Sequence, residues 1–294
     1  MDVMASRFRP TTSVTPADVS AALAEARVVE EVSGARGALP GAIVLRERAT
    51  ELAHASRGKA LPQAIALLSH VEQYIGWLYL RLNRLPESGH HLDRAAVLAI
   101  EADAPMRLST ALSFAAFRSL RLGQLGAAGA QCEAAGRDKR IHPGMRSYLG
   151  YQHAEVLARD SQKSDARLAL RRADDLADRL PERKGSWYVP SFFVGHRALV
   201  LHELGSPKAA QQSAAEAFGL MPVEWLATGW EGQPLRIRQV GRRLLSTFCD
   251  SVASGDPLDV MSRALQVFIQ GRKVYRFDEN TGEGVTENPY YQEA

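Results

Sequence analysis

The sequence predicts an all-α fold, a right-handed α-solenoid of stacked helix pairs. Three observations carry that prediction. The first is composition: 44 of the 294 residues are alanine, and Ala, Leu, Arg and Glu dominate. All four are strong helix formers, whereas the β-branched residues a sandwich or barrel would need are sparse. The second is the placement of proline, which breaks helix interiors but suits the first helical turn. Pro62, Pro105, Pro143, Pro190 and Pro234 precede or open helical patterns, Pro86, Pro207 and Pro257 sit in short turns, and Pro222 closes a helix. The third is a recurring turn at Leu82-Asn83, Leu122-Gly123, Asp160-Ser161, Leu204-Gly205 and Ser254-Gly255, with an amphipathic helix on each side.

Taken in order, residues 1–60 hold a lead-in and two helices. Thr15 can cap a helix with Pro16 in its first turn, running to about Val32. Gly34, Gly37 and Gly41 interrupt the pattern, and a second helix is expected from about Gly41 to Ser56. Residues 61–270 carry about five repeats. The tail 271–294 is polar and aperiodic and is expected to be largely disordered.

Within the repeats, small residues recur at fixed distances from the turn. Five residues after its second position stand Ser88, Ala128, Ala166 and Ala210, and twelve after stand Ala95, Ala135, Ala173 and Ala217. Seven before it stand Gly76, Ala116, Ala154 and Ala198. The fifth repeat is weaker, with Phe248, Val260 and Val267 at those places. Small side chains there let antiparallel helices approach closely, and a single pair cannot bury its apolar face without a neighbour.

This pattern resembles the tetratricopeptide repeat, so the helix pairs are expected to be tetratricopeptide-like. The nearest local match is Ile75, Gly76 and Tyr79 followed by Ser88, Leu92 and Ala95, and the fourth repeat ends in Pro222 as that family does. The repeats lack the family's early Trp and exceed its usual length. More widely, residues 73–96 resemble the first repeat in the C-terminal sensor region of actinobacterial helix-turn-helix regulators of the xenobiotic-response-element class. Residues 126–135, 167–180 and 192–222 resemble its later repeats, and 15–32 the linker helix before them. Residues 1–60 show no helix-turn-helix pattern. The resemblance therefore implies a regulatory module that binds a peptide or protein and forms a homodimer, without DNA binding by this chain.

In a tetratricopeptide solenoid the first helix of each pair lines the concave face. The resemblance thus implies a peptide groove with His70, Gln73, Trp77 and Arg81 from the first repeat, and Ser113, Phe117 and Arg121 from the second. The third would add Tyr148, Tyr151, Glu155 and Arg159, and the fourth Phe192, Leu199, His202 and Glu203. Arg81, Arg121 and Arg159 hold the same position, two residues before the turn, and could form a guanidinium ladder for an acidic peptide. They could equally be solvated charges complementing helix C-termini. The paired Lys and Asn of the chaperone-type carboxylate clamp are absent.

Other function classes find little support. The net charge of +3 falls short of a nucleic-acid binder. Cys132 and Cys249 make neither a disulfide framework nor a zinc cluster and fit a reducing cytoplasm, with Cys132 as core filling. His90-His91 point to different sides of a helix, His196 and His202 do not share a face, and His153 and Glu155 diverge. No metal site, phosphate loop or nucleophile–base pair is discernible, so no catalytic residue, cofactor or metal is expected. No apolar run reaches the length of a membrane span, and no secretory leader is recognisable. The expectation is a cytoplasmic, non-enzymatic binding module. An assembly scaffold, or an enzyme with an unrecognised site, are the alternatives.

Overall fold

The computed structural model describes residues 14–180, 190–220, 276–277 and 284–285. They are all-helical apart from two two-residue strands, β1 (Arg276–Phe277) and β2 (Gly284–Val285), which pair antiparallel within the tail. The remainder of the tail, the fifth repeat with its Ser254-Gly255 turn, and Pro222, Pro234 and Pro257 lie outside the described residues. The chain divides into two compact units, Met1–Ala115 and Ala116–Ala294.

The first helix, α1 (Pro16–Ala55), opens with a capping box. The Thr15 hydroxyl accepts from the Asp18 amide, and the Asp18 carboxylate accepts from the Thr15 amide at 2.9 Å. The helix breaks at one residue, Gly34, with φ 70° and ψ 178°. The expected second helix therefore begins directly after Gly34 rather than near Gly41, and contains Gly37, Pro40 and Gly41. One left-handed glycine is enough to redirect the chain. The bend is tight, since a Cβ on Gly37 would meet Ser33 Cβ at 2.5 Å. Pro40 forfeits one backbone bond near the start of the second segment, where the ladder has only begun.

Further along the first unit come α2 (Ala60–Arg81) and α3 (Leu85–Glu101), followed by α4 (Pro105–Arg121), which runs on into the second unit. α1 and α3 both pack on α2. The core joins Val19 and Leu23 of the first segment of α1, Ala42, Leu45 and Ala49 of its second, and Ile65, Leu68, Ile75 and Leu78 of α2. In the second unit stand α5 (Leu125–Gly136), α6 (Pro143–Arg159), α7 (Lys163–Ala177), α8 (Pro190–Glu203) and α9 (Pro207–Gly219). There α6 packs on α5, α7 and α8, and α8 on α9. Pro86 and Pro207, expected in turns, stand in the first turns of α3 and α9.

Four turns are built alike. Asn83, Gly123, Ser161 and Gly205 have φ of 60°, 73°, 63° and 74°. In each, the next residue donates its amide to a carbonyl five residues back at 2.9 Å: Arg84 to Tyr79, Gln124 to Ser119, Gln162 to Leu157 and Ser206 to Leu201. This is the Schellman closure, which satisfies carbonyls the ending helix leaves open. Asp103, with φ 46°, closes α3 in the same way through Ala104 and Ala99.

The small residues at the three repeating offsets are all buried. A Cβ on Gly76 would meet Leu92 Cγ at 2.8 Å, and one on Gly150 would meet Ala173 Cβ at 2.9 Å. A further regularity lies fourteen residues before each left-handed turn position, where Ser69, Ser109, Ser147 and Ser191 are buried. Ser69 donates to the Ala95 carbonyl at 2.7 Å and Ser147 to the Ala173 carbonyl at 2.9 Å, tying the facing helices together. Among the described residues the hydroxyls of Ser109 and Ser191 have no hydrogen-bond partner.

Candidate functional site

His70, Tyr74, Trp77 and Arg81 follow one another at helical spacing along α2 and form a stripe. The first segment of α1 lies against it. Arg27 Nη2 donates to His70 Nε2 at 2.7 Å, Tyr74 Oη to the Ala26 carbonyl at 2.8 Å, and Trp77 Nε1 to Glu30 Oε1 at 2.9 Å. α4 brings Phe114, whose ring centre is 4.9 Å from that of Trp77. The Arg81 guanidinium stands 5.6 Å from the Trp77 ring and that of Arg27 6.0 Å from the Tyr74 ring, both within cation–π range. Three helices of one compact unit thus converge on His70 and Trp77.

Electrostatics divides the stripe into two rungs. At the lower rung, burial together with the nearby positive charges of Arg107 and Arg27 pushes His70 from 6.5 down to about 2. The imidazole is therefore neutral, with the Nε2 lone pair accepting from Arg27. Burial and the charge of Arg27 also lower the affinity of Arg107 for its own proton. Arg107 stands in the first turn of α4, which carries no acidic residue, so the positive end of the helix dipole adds to its charge. At the upper rung, burial raises the carboxyl of Glu30 above the ordinary range, against the bond from Trp77 and the charges of Arg81 and Arg27.

The other groove residues divide by surroundings. Gln73 is buried with its Oε1 unpartnered, and Ser113 is buried. Phe117 is half-buried and Arg121 exposed, and Ser113, Phe117 and Arg121 each already interact with a neighbour. In the second unit Tyr148, Tyr151, Glu155, Phe192 and Leu199 are buried. Tyr151 donates to Asp174 Oδ1 at 2.7 Å, and burial with this bond pushes its phenol up. Tyr148 and Phe192 pack around the buried His196, with ring centres 4.7 to 5.2 Å apart. Leu199 packs on Ala210, and His202 is half-buried.

The three equivalent arginines do not behave alike. Arg159 is held between Glu155 at 2.9 Å and Glu203 at 3.1 Å, so two carboxylates already occupy its guanidinium. Arg81 leans on Trp77 and lies in the other compact unit. Arg27, which donates to His70, and Arg107, whose charge is felt by His70, belong to no motif.

A second polar cluster also escapes sequence reasoning. Glu72 is fully buried between α2 and α3, receiving His91 Nδ1 at 2.6 Å and lying 3.0 Å from Arg94 Nε. His91 is buried and stacks on Tyr79, whereas His90 is exposed. These contacts hold the helix pair together. Cys132 is buried, and burial with the nearby Glu155 and Glu133 pushes its thiol up to about 12. Among the described residues no group of three or more His, Cys, Asp or Glu could hold a metal ion, and no helix is long and apolar enough to cross a membrane.

No protein-family model matches the chain, and no curated protein matches it either.

Proposed function

We propose that this chain is a non-enzymatic peptide- or protein-binding module, built as a right-handed solenoid of tetratricopeptide-like helix pairs. It works in the cytoplasm as a regulatory sensor or adaptor linked to transcriptional regulation. The observation that carries the reading is the α2 stripe, where a half-buried Trp77 with Phe114 beside it is flanked by Arg81 above and Arg27 and Arg107 below. Flat apolar rings beside cations are the residue types that anchor peptide side chains. The four like-built turns and the buried small residues support stacked pairs. The resemblance of residues 73–96 to sensor regions of actinobacterial regulators supports the regulatory link. In this reading a homodimer is the second mode of association, and ligand binding shifts the balance between arrangements of the array.

The test is selection of peptides from a displayed random library on the immobilised full chain, followed by calorimetry. Selected peptides are expected to bind saturably, and Trp77→Ala to weaken them about tenfold or more. Trp77→Phe keeps a ring at the site and should retain much of the binding. A library that yields no saturable binder, or binders indifferent to both substitutions, refutes the reading.

A further inference from the structure

The first segment of α1, residues 16–33, is set apart from the rest of that helix by Gly34, whose φ of 70° and ψ of 178° interrupt the helical backbone. The two segments meet the core differently. The second buries apolar side chains along its length, from Ala35 to Ala53, whereas among the described residues the first buries two, Val19 and Leu23. What the first segment adds is polar contact with α2. His70 accepts from Arg27, Tyr74 donates to the Ala26 carbonyl, and Trp77 donates to Glu30, at 2.7, 2.8 and 2.9 Å. The segment therefore lies on the α2 stripe, the face proposed above to bind a ligand.

Its own pattern is that of a helical ligand. Val19, Leu23, Ala26 and Glu30 are spaced four, three and four residues apart, which places them along one side of a helix. Ser20, Ala24 and Val28, on the other side, are exposed. Anchors at this spacing are how a groove reads an amphipathic helix. The two contacts that α2 donates divide the work of recognition. Tyr74 takes a backbone carbonyl, which any helix offers, and the indole N–H of Trp77 selects a carboxylate one turn further on.

We infer that residues 16–33 are a resident ligand of the α2 face, and that its external partner is an amphipathic helix of the same pattern, which binds by displacing them. That pattern is two apolar residues one turn apart, then a small residue, then a carboxylate. The inference deepens the proposed binding module and rests on it for the identity of the face. A resident segment tethered through a short joint stands at an effective concentration of order millimolar, so a free helix with equal contacts competes with it only near or above about that level. Weakening the grip of the resident should open the face.

The experiment uses two fluorescein-labelled synthetic peptides and follows their anisotropy on titration with the full chain. One peptide is residues 15–33. The other keeps Val19, Leu23, Ala26 and Glu30 in register and exchanges the exposed positions for Ala, Lys and Gln. Leu23→Asp in the chain should tighten the binding of both peptides about tenfold or more over the parent, with Leu23→Ala between the two. Adding Trp77→Ala to Leu23→Asp should abolish the gain, and Trp77→Phe should retain part of it. Replacing the peptide glutamate at position 30 by alanine should weaken binding about tenfold. A cooperative thermal transition shows that each variant folds, and where Leu23→Asp lacks one, Leu23→Ala carries the same comparison. Peptides that bind the released variants no better than the parent overturn the inference, as does a gain that survives Trp77→Ala. Binding of the 15–33 peptide without the pattern-only helix also overturns it, because the segment is then a structural element and not a ligand. Library peptides that bind parent and Leu23→Asp equally, through Trp77, would leave the binding module standing and the resident ligand refuted. Both helices binding the released face when no library peptide binds would do the reverse.

Discussion

Acidification should destabilise this protein through His70 before carboxylate titration dominates. The imidazole is held neutral in the folded chain down to about pH 2, while in the unfolded chain it titrates near 6.5. A depressed folded pKa means stability that is full above 6.5 and is lost as pH falls, because only the unfolded state takes up the proton. Between pH 7 and pH 5 the loss is about 1 to 2 kcal/mol, the lower end allowing for the part of the ring that solvent reaches. Urea unfolding at pH 7, 6 and 5, compared between the parent chain and His70→Gln, isolates that term. Glutamine keeps an acceptor for Arg27 but cannot be protonated. The raised carboxyls of Glu30 and Asp174 act with the opposite sign, losing stability as pH rises, and are common to both proteins. The variant should lose about 1 to 2 kcal/mol less than the parent over this range. Parallel curves would refute the reasoning, as would a His70 ring resonance that titrates between pH 7 and 6.

Three further outcomes follow from the packing. Gly76→Ala should destabilise by about 1 to 3 kcal/mol, because its methyl would press on Leu92, whereas Gly129→Ala, with nothing nearer than 3.8 Å, should stabilise by about 0.5 to 1 kcal/mol in chemical denaturation. Ser161→Gly should raise and Gly123→Ala lower the unfolding free energy by about 1 kcal/mol each, since both positions are left-handed. Ser147→Ala should cost about 1 kcal/mol by removing the bond to the Ala173 carbonyl, while Ser191→Ala, whose hydroxyl has no hydrogen-bond partner among the described residues, should be neutral or stabilising by melting temperature.

Much of the helical framework is legible in the residues because its determinants are local. A left-handed turn selects glycine or asparagine, and three of the four turns have one. Ser161 shows that the fixed distance to neighbouring small residues carries the information when the turn residue itself does not. The buried alanines are legible for the same reason, since close helix approach excludes larger side chains. Ser69, Ser109, Ser147 and Ser191 are not, because an isolated serine in a helix reads as surface until its burial is known. The site is less legible still. Arg27 meets His70 across 43 residues of chain, and Trp77 meets Glu30 across 47. No periodicity on α2 announces that α1 will lie there. Arg107 carries no motif, and its charge reaches His70 from another helix. The equivalence of Arg81, Arg121 and Arg159 is real in spacing, yet Glu155 and Glu203 give Arg159 a different chemical state.

The bend at Gly34 has a consequence for how the cationic rung is assembled. Arg27 stands seven residues before it, at the far side of a joint made by one residue with nothing within 4 Å of where its side chain would begin. At Gly34 itself the joint is set by two backbone angles, while Gly37 lies close on Ser33 across it and Val19 and Leu23 anchor the segment on the core. A substitution at Gly34 acts on Arg27 as a lever acts on its load. It changes the angle of approach to His70 and leaves Arg107, on a different helix, where it is. One member of the pair can thus be re-aimed without disturbing the other.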